Sequence, residues 1–492
     1  MSFNSVVFLF LFFPLFLGFY FISGRKLQNL VLVVFSILFY TWGDKILILL
    51  FLSSVAMNYL GAKLIRDVNA IFGLTGMLAF NIVMLGFFKY FNFGVDSYNS
   101  LLSLLNIKGH DIGILPNLVL PLGISFFTFR AISYIVDVYK KKIDPSDNFL
   151  DFMTWISMFP LISAGPIVRY SDINNQLNAK NISSSRFVEG IGRFITGFVK
   201  KVLIAGTFSS VSSYVFSASV SDISTVTAWV GIIAFTFEIY FDFSGYSDMA
   251  IGIGKMIGFD FMENFNYPYV SRNIREFWRR WHISLSQWLR DYLFLPISFS
   301  LSRKLKKESY LKIRTDRILY FVATLITFLV CGLWHGAAWT FVAWGLYFSV
   351  FLILEQFFLG RFLKKLWIPL QHLYTLLIVT CSFVIFKSDS LADATHYFGR
   401  MFSFTAGDPS VNSYISFFTM TGETLVVTFF AIFFSTPVVR VFWSFVKKME
   451  NSKPVLAFLI KSIVVITLCV IFIMGISYMV SNTYNPFIYA RF

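Results

Sequence analysis

This chain is poor in the groups that soluble enzymes use. Among 492 residues there are 3 cysteines and 5 histidines, and only 14% are Asp, Glu, Lys or Arg. Cys331, Cys381 and Cys469 lie in separate apolar runs with no close pairing. That spacing implies no disulfide frame and no zinc site, and leaves the thiols as inert core residues. No GxSxG, HExxH or CxxC pattern occurs. Neither a serine nucleophile elbow nor a zinc-protease helix is therefore available, and no metal is expected. In an enzyme of this composition the nucleophile belongs to the substrate or to another protein. Composition breaks, Ser/Gly linkers and low-complexity tracts are also missing, so residues 1–492 read as one domain. No internal repeat appears, which argues against a transporter built from duplicated halves. The first apolar run, VVFLFLFFPLFLGFYFI, lacks a basic flank and a small-residue cleavage site. It reads as a first span rather than a signal peptide.

What is abundant is apolar. Hydrophobic residues make up 57% of the chain, with 63 phenylalanines, and the mean hydropathy is +0.70. Long apolar runs recur from end to end, which predicts an all-α polytopic membrane protein of about 11–12 transmembrane helices. The net charge of +15 would suit nucleic acid. Lys and Arg cluster in short loops between apolar runs, however, so the charge reports topology and the expected partner is the bilayer. Arg25 and Lys26, Lys63 and Arg66, and Lys140, Lys141 and Lys142 fall on the cytoplasmic side in this reading, with both termini outside. Residues 152–170, FMTWISMFPLISAGPIVRY, are too short and too broken by Pro160, Gly165 and Pro166 to cross. They predict a re-entrant segment buried in protein or lining a cavity. Residues 272–317 form the longest basic cytoplasmic segment, and 387–420 a polar extracytoplasmic loop.

Inside the basic segment lies EFWRRWHISLSQWLRDY, residues 276–292. At helical spacing Trp278, Trp281, His282, Leu285, Trp288, Leu289 and Tyr292 share a stripe, while Arg279, Arg280, Arg290 and Asp291 lie largely off it. The pattern predicts an amphipathic interfacial helix with arginines suited to phosphates. His282 is then either a satisfied structural group or part of a site. His335, beside Trp334, sits at the centre of an apolar run long enough for two helices. An ionisable group at such depth is expensive and marks a functional candidate, against the alternative of a hydrogen bond across helices. A neutral imidazole there can take a proton from a hydroxyl. Glu238 and Asp242, one turn apart, and Asp248 beyond them could orient a histidine or hold arginines of the next helix; a purely structural ion-pair network is the other reading. GIGKMIG, residues 252–258, has the wrong spacing for a phosphate loop and reads as small residues at a helix interface.

Several of these stretches, in order and over nearly the whole chain, resemble the membrane-bound O-acyltransferases (MBOAT), in particular their bacterial alginate O-acetyltransferase-like branch. They include LPLGISFFTFRAISYIVDVYK, FPLISAGPIVRY, FEIYFDFSGYSDMAIGIGKMIGF, NFNYPYVSRNIREFWRRWH and CGLWHGAAWTFVAWG. The resemblance implies a ring of tilted helices around a thin centre pierced by a tunnel, with His335 as the catalytic histidine and His282 as the second histidine on the path. It implies acetyl-CoA, or another acyl thioester, as the donor substrate, with no tightly bound cofactor. It also implies an extracytoplasmic SGNH-type transferase as partner and a polysaccharide as final acceptor, in the bacterial cytoplasmic membrane. Trp278, Arg279, Arg280, Trp281, Trp288, Arg290, Asp291 and Trp334 would then line the donor's mouth and tunnel. In residues 485–492, NPFIYARF, Tyr489 would relay the acyl group; an aromatic anchor at the membrane surface is the other reading. The chain departs from the pattern at SFSLSRKLKKES, where many relatives carry a Gly-rich basic turn. Two rivals to acetyl transfer stand beside it: D-alanyl transfer to teichoic acid, and transport of a glycan or lipid-linked precursor. A membrane scaffold that only recruits a secreted partner is a third, and there both histidines would be dispensable.

Overall fold

The computed structural model describes residues 1–481 apart from Asn117. Among the described residues nine helices are long and apolar enough to cross a membrane, or ten if Gly422–Phe434 and Val438–Ser452, bent by 67°, form one span. By this measure of length and apolarity the count among the described residues is lower than the expected 11–12. The apolar Phe8–Ile22 run and the 16-residue Ile124–Tyr139 helix reach only about 22–24 Å at 1.5 Å per residue, short of a hydrocarbon core of about 30 Å. Most of Ile124–Tyr139 is buried against protein, Arg130 included. Apolarity alone does not separate such a helix from a span.

The segment expected to be re-entrant does not cross. It folds into Phe149–Ser157 and the single turn Phe159–Ile162, and Asp151 through Ile162 are all buried. Phe159 sits among the rings of Phe3, Phe8, Phe12, Phe16 and Phe39 at 5.1–6.2 Å. This cluster employs part of the unusual phenylalanine content inside the protein rather than toward lipid. Gly123, at φ +66°, passes so close that a Cβ there would lie 1.9 Å from the Ile162 carbonyl oxygen, so only glycine fits.

The Thr225–Met256 helix runs through the middle and is the most enclosed span. It packs on Ser184–Ser217 through matched glycines. A Cβ on Gly252 would lie 2.7 Å from the Gly190 oxygen, and one on Gly197 would lie 2.4 Å from the Gly245 oxygen. Small residues at a shared interface are thus what GIGKMIG provides. The close approach also settles the intramembrane acids. Asp248 pairs with Arg193 at 2.6 Å and Lys200 at 2.7 Å, Asp242 with Lys201, and Glu238 accepts from Ser212. The partners described for these acids lie on the preceding helix, because the glycine contacts bring the Ser184–Ser217 cations close. Buried charges persist when paired in this way.

The stretch read as a polar loop carries helices, and the basic segment carries a small hairpin besides its helices. Residues 387–420 contain the helices Leu391–Phe402 and Pro409–Thr419. Within the basic segment, Ser309–Tyr310 pairs antiparallel with Ile313–Arg314. Of the cysteines, Cys331 is buried as expected, but Cys469 is exposed on the outer face of its span rather than in a core.

Candidate functional site

His335 is the last residue of the Thr315–His335 helix, and Trp339–Leu354 begins after a short extended link. The two helices cross on glycine. A Cβ on Gly332 would lie 2.2 Å from the Phe341 oxygen, and one on Gly345 would lie 2.2 Å from the Phe328 oxygen. The helix end that carries His335 is capped from outside. Lys89 Nζ donates to the carbonyls of Trp334 at 2.5 Å and His335 at 3.4 Å, and Tyr90 donates to that of Leu333 at 2.7 Å. Donors on the last carbonyls of a helix satisfy acceptors that have no partner within it. His335 itself is 2% exposed.

His282 reaches the same region from another element. The stretch expected to be one interfacial helix is two, Ile274–Arg280 and Ile283–Leu289, broken at His282 with φ +43°. The left-handed backbone turns the tryptophans inward. Trp278, Trp281, Trp288 and His282 are all buried in the protein rather than placed at a lipid surface. Asn264 holds the break. Its Oδ1 accepts from Ser284 N–H at 3.2 Å and Ser284 Oγ at 2.9 Å, and His282 Nδ1 stands 3.1 Å away. With the Asn264 Nδ2 group directed at Ser247, Oδ1 is the acceptor and Nδ1 of His282 carries the proton. Nε2 is then the basic nitrogen, and it has no hydrogen-bond partner among the described residues.

An aromatic chain joins the two histidines. His282 lies 5.7 Å from Trp334, Trp334 lies 4.9 Å from His335, His335 lies 4.9 Å from Trp344, and Trp344 lies 5.8 Å from Trp278, between ring centroids. The indole N–H groups of Trp278, Trp334 and Trp344 are buried with no acceptor among the described residues. A buried donor left so costs about 1–3 kcal/mol. Three such donors lie in one aromatic cluster with the bare Nε2 of His282, each short of the partner that a buried polar group ordinarily has.

The remaining expected residues divide. Trp281 packs against Phe265 and Phe277; Trp288 stacks on Phe129 at 3.9 Å and donates to its carbonyl. Trp281 is one ring removed from His282, through Phe265, and Trp288 is two rings removed, through Phe129 and Trp334. Arg280 is committed to Glu276 and the Asn266 carbonyl, which leaves Arg279 and Arg290 as the exposed arginines of the stretch. Asp291 joins Arg290 at 2.7 Å and Arg169 at 2.8 Å, so it ties the start of Tyr170–Asn178 to the broken helix. Tyr489 lies outside the described residues. Sequence reasoning missed Lys89, Asn264 and Trp344. Lys89 carried a signal, a lysine within the apolar run GFFKYF. Asn264 and Trp344 carried none.

Burial alone would raise the Asp291 carboxyl, but the hydrogen bonds from Arg290 and Arg169 outweigh it and hold it below the usual carboxylate range. A group depressed in the folded state adds stability above its unfolded pKa and loses it as pH falls through the folded one. Asp291→Asn is expected to lower the melting temperature at neutral pH by the equivalent of under about 1 kcal/mol. The gap to the parent should close on acidification through the carboxylate range; a gap that is constant with pH would remove the ion pair from the account.

A sequence profile of MBOAT, the membrane-bound O-acyltransferase family, matches residues 141–369, which include both histidines. A protein of Azotobacter vinelandii described as a probable alginate O-acetylase is 42% identical over 409 residues, covering 82% of this chain and 78% of its own. A peptidoglycan O-acetyltransferase of Helicobacter pylori is 34% identical over 440 residues, 80% of this chain and 78% of its own. A teichoic acid D-alanyltransferase of Bacillus subtilis is 30% identical over 277 residues, 55% of this chain and 68% of its own.

Proposed function

The chain belongs to the membrane-bound O-acyltransferase family and is a multi-pass membrane O-acyltransferase, and from that premise we propose that it passes an acetyl group from cytoplasmic acetyl-CoA across the membrane. The receiving protein is an extracytoplasmic SGNH-type transferase that O-acetylates an exported or cell-surface polysaccharide. The observation that carries this reading is the buried aromatic cluster of His282, Trp334, His335, Trp344 and Trp278, in which the indole N–H groups of the three tryptophans and Nε2 of His282 have no partner among the described residues. The relatives named for O-acetylation cover more of this chain than the D-alanyl relative does, which favours acetyl as the cargo.

In this mechanism His335 is the general base. It takes the proton of an acceptor hydroxyl as the oxygen bonds to the thioester carbonyl carbon. The C–S bond then breaks, and the thiolate leaves with the proton that His335 held. Negative charge collects on the carbonyl oxygen between those steps, and indole N–H donors in a dry site are suited to it. His282, with Nε2 bare, faces the same wall and serves the path on its other side. In this reading the donor's phosphates meet the exposed Arg279 and Arg290, the latter also paired with Asp291. Tyr489 supplies a chemically suitable hydroxyl acceptor.

Asn264 is a positioning residue, since it touches His282 and no reacting atom. Asn264→Ala is expected to lower kcat about tenfold at nearly constant KM, the equivalent of one hydrogen bond of about 1.4 kcal/mol. A changed KM with unchanged kcat would assign Asn264 to donor binding instead. The test of the function itself is reconstitution in liposomes with acetyl-labelled CoA on one side. Label on the protein that maps to Tyr489 and disappears in Tyr489→Phe supports the relay. Label passing to the SGNH partner without it supports transfer by another acceptor. No use of the donor even with that partner present would sink the reading in favour of a transporter.

A further inference from the structure

A second site lies apart from the histidines, at the start of the Gly24–Gly43 span. A cavity of ≈ 340 Å³ opens there between that helix, Phe149–Ser157 and the end of Tyr170–Asn178. Its charges are sorted by depth. Arg25 and Lys26 are exposed at the rim and Lys180 is half-buried. At the floor are Gln28, 4% exposed, Asn29 and Asp151, both 7%. Every oxygen at the floor is an acceptor. Asp151 already takes Asn29 Nδ2 at 2.8 Å and Asn178 Nδ2 at 3.2 Å. Gln28 Oε1 and Asn29 Oδ1 are buried and meet no donor among the described residues. Cations around the opening with acceptors and a carboxylate beneath them call for a zwitterion, anionic near the surface and donating at depth.

We propose that this cavity binds a phosphoethanolamine headgroup, with the phosphate held by Arg25, Lys26 and Lys180 and the ammonium directed at Gln28 Oε1, Asn29 Oδ1 and Asp151. The ammonium supplies the donors that the two amide oxygens lack. A glycerol headgroup would bring hydroxyls but no charge to set against Asp151, so ethanolamine is the better fit. The source is a membrane phospholipid rather than a soluble ester. The cavity lies where the span begins, and Leu27, Leu30, Val34 and Leu38 on the same helix are 45–51% exposed. At that spacing they form a lipid-facing stripe leading away from the rim, along which acyl chains would lie. The site does not depend on the acyl-transfer reading.

The test is native mass spectrometry of the full chain released from nanodiscs holding phosphatidylethanolamine, phosphatidylglycerol or both, with soluble phosphoethanolamine as a third arm. Phosphatidylethanolamine should be retained over phosphatidylglycerol by about tenfold, on the scale of one hydrogen bond to a charged group. Gln28→Leu should erase that preference. The Arg25→Ala/Lys26→Ala double variant, altered only at the exposed rim, should weaken both lipids without disturbing the fold. Equal retention of the two lipids by the parent chain, or an unchanged preference in Gln28→Leu, overturns the proposal. Soluble phosphoethanolamine binding as tightly as the lipid overturns the lipid source.

Discussion

His335→Ala is expected to lower acyl transfer by about 10²–10⁴-fold, the usual contribution of a positioned general base, with the protein still folded. The structure gives the reason for expecting both at once. The caps on this helix end, Lys89 and Tyr90, bond to backbone carbonyls of Leu333, Trp334 and His335. They survive removal of the imidazole, and alanine is the best helix former. The ring itself is packed edge-on against Trp334, Trp344 and Phe386, so the variant should lose some melting temperature through the cavity left behind. The measurement is single-turnover transfer from labelled donor, beside a melting curve, with His396→Ala as a control at an exposed histidine. Transfer within about threefold of the parent would sink the general-base assignment. A collapsed melting curve would leave the lost rate to unfolding, and His335→Gln, which refills most of the volume, then decides.

Gly345→Val is expected to cost about 1–3 kcal/mol or more of stability and to remove activity with it. Two effects oppose each other at this position. Helix propensity alone favours replacing an interior glycine, with alanine gaining about 1 kcal/mol. Against it, any Cβ at 345 meets the Phe328 oxygen at 2.2 Å and the Gly332 Cα at 3.4 Å. Both are backbone atoms that cannot swing aside, so the helices must separate, and the steric term wins. Separation moves Trp344 and His335 relative to each other, because one sits on each helix. Gly399→Ala is the matched control. It lies inside Leu391–Phe402 with nothing within 4 Å of the added Cβ, and should be neutral or stabilising. If both variants melt together, close packing at Gly345 is not what holds the pair.

The two variants mark how differently chain and fold inform the site. His335 was legible because a titratable ring in the middle of an apolar run is rare and costly, and that cost is a property of the local sequence. Lys89 sent the same signal from GFFKYF. Trp344 was invisible, since a tryptophan in an apolar helix has the same appearance whether its N–H is met or not. The stripe through Trp278, His282 and Trp288 misled in a specific way. Helical periodicity assumes an unbroken helix, and the left-handed turn at His282 depends on Asn264, whose contacts were not legible from the chain.

What the sequence by itself determined is the solvent and the class. Its apolar runs require a helical membrane protein, its basic loops carry the topology signal, and its long motifs place it among the O-acyltransferases. Composition and order along the chain are enough for that, because transfer into lipid is nearly additive over residues. Only the tertiary structure decided which apolar helices are too short to cross, which lysines answer Asp242 and Asp248, and that two histidines 53 positions apart share one aromatic wall. Those are matters of distance between elements. They follow from where glycines let backbones touch, and a one-dimensional pattern does not record which glycine faces which.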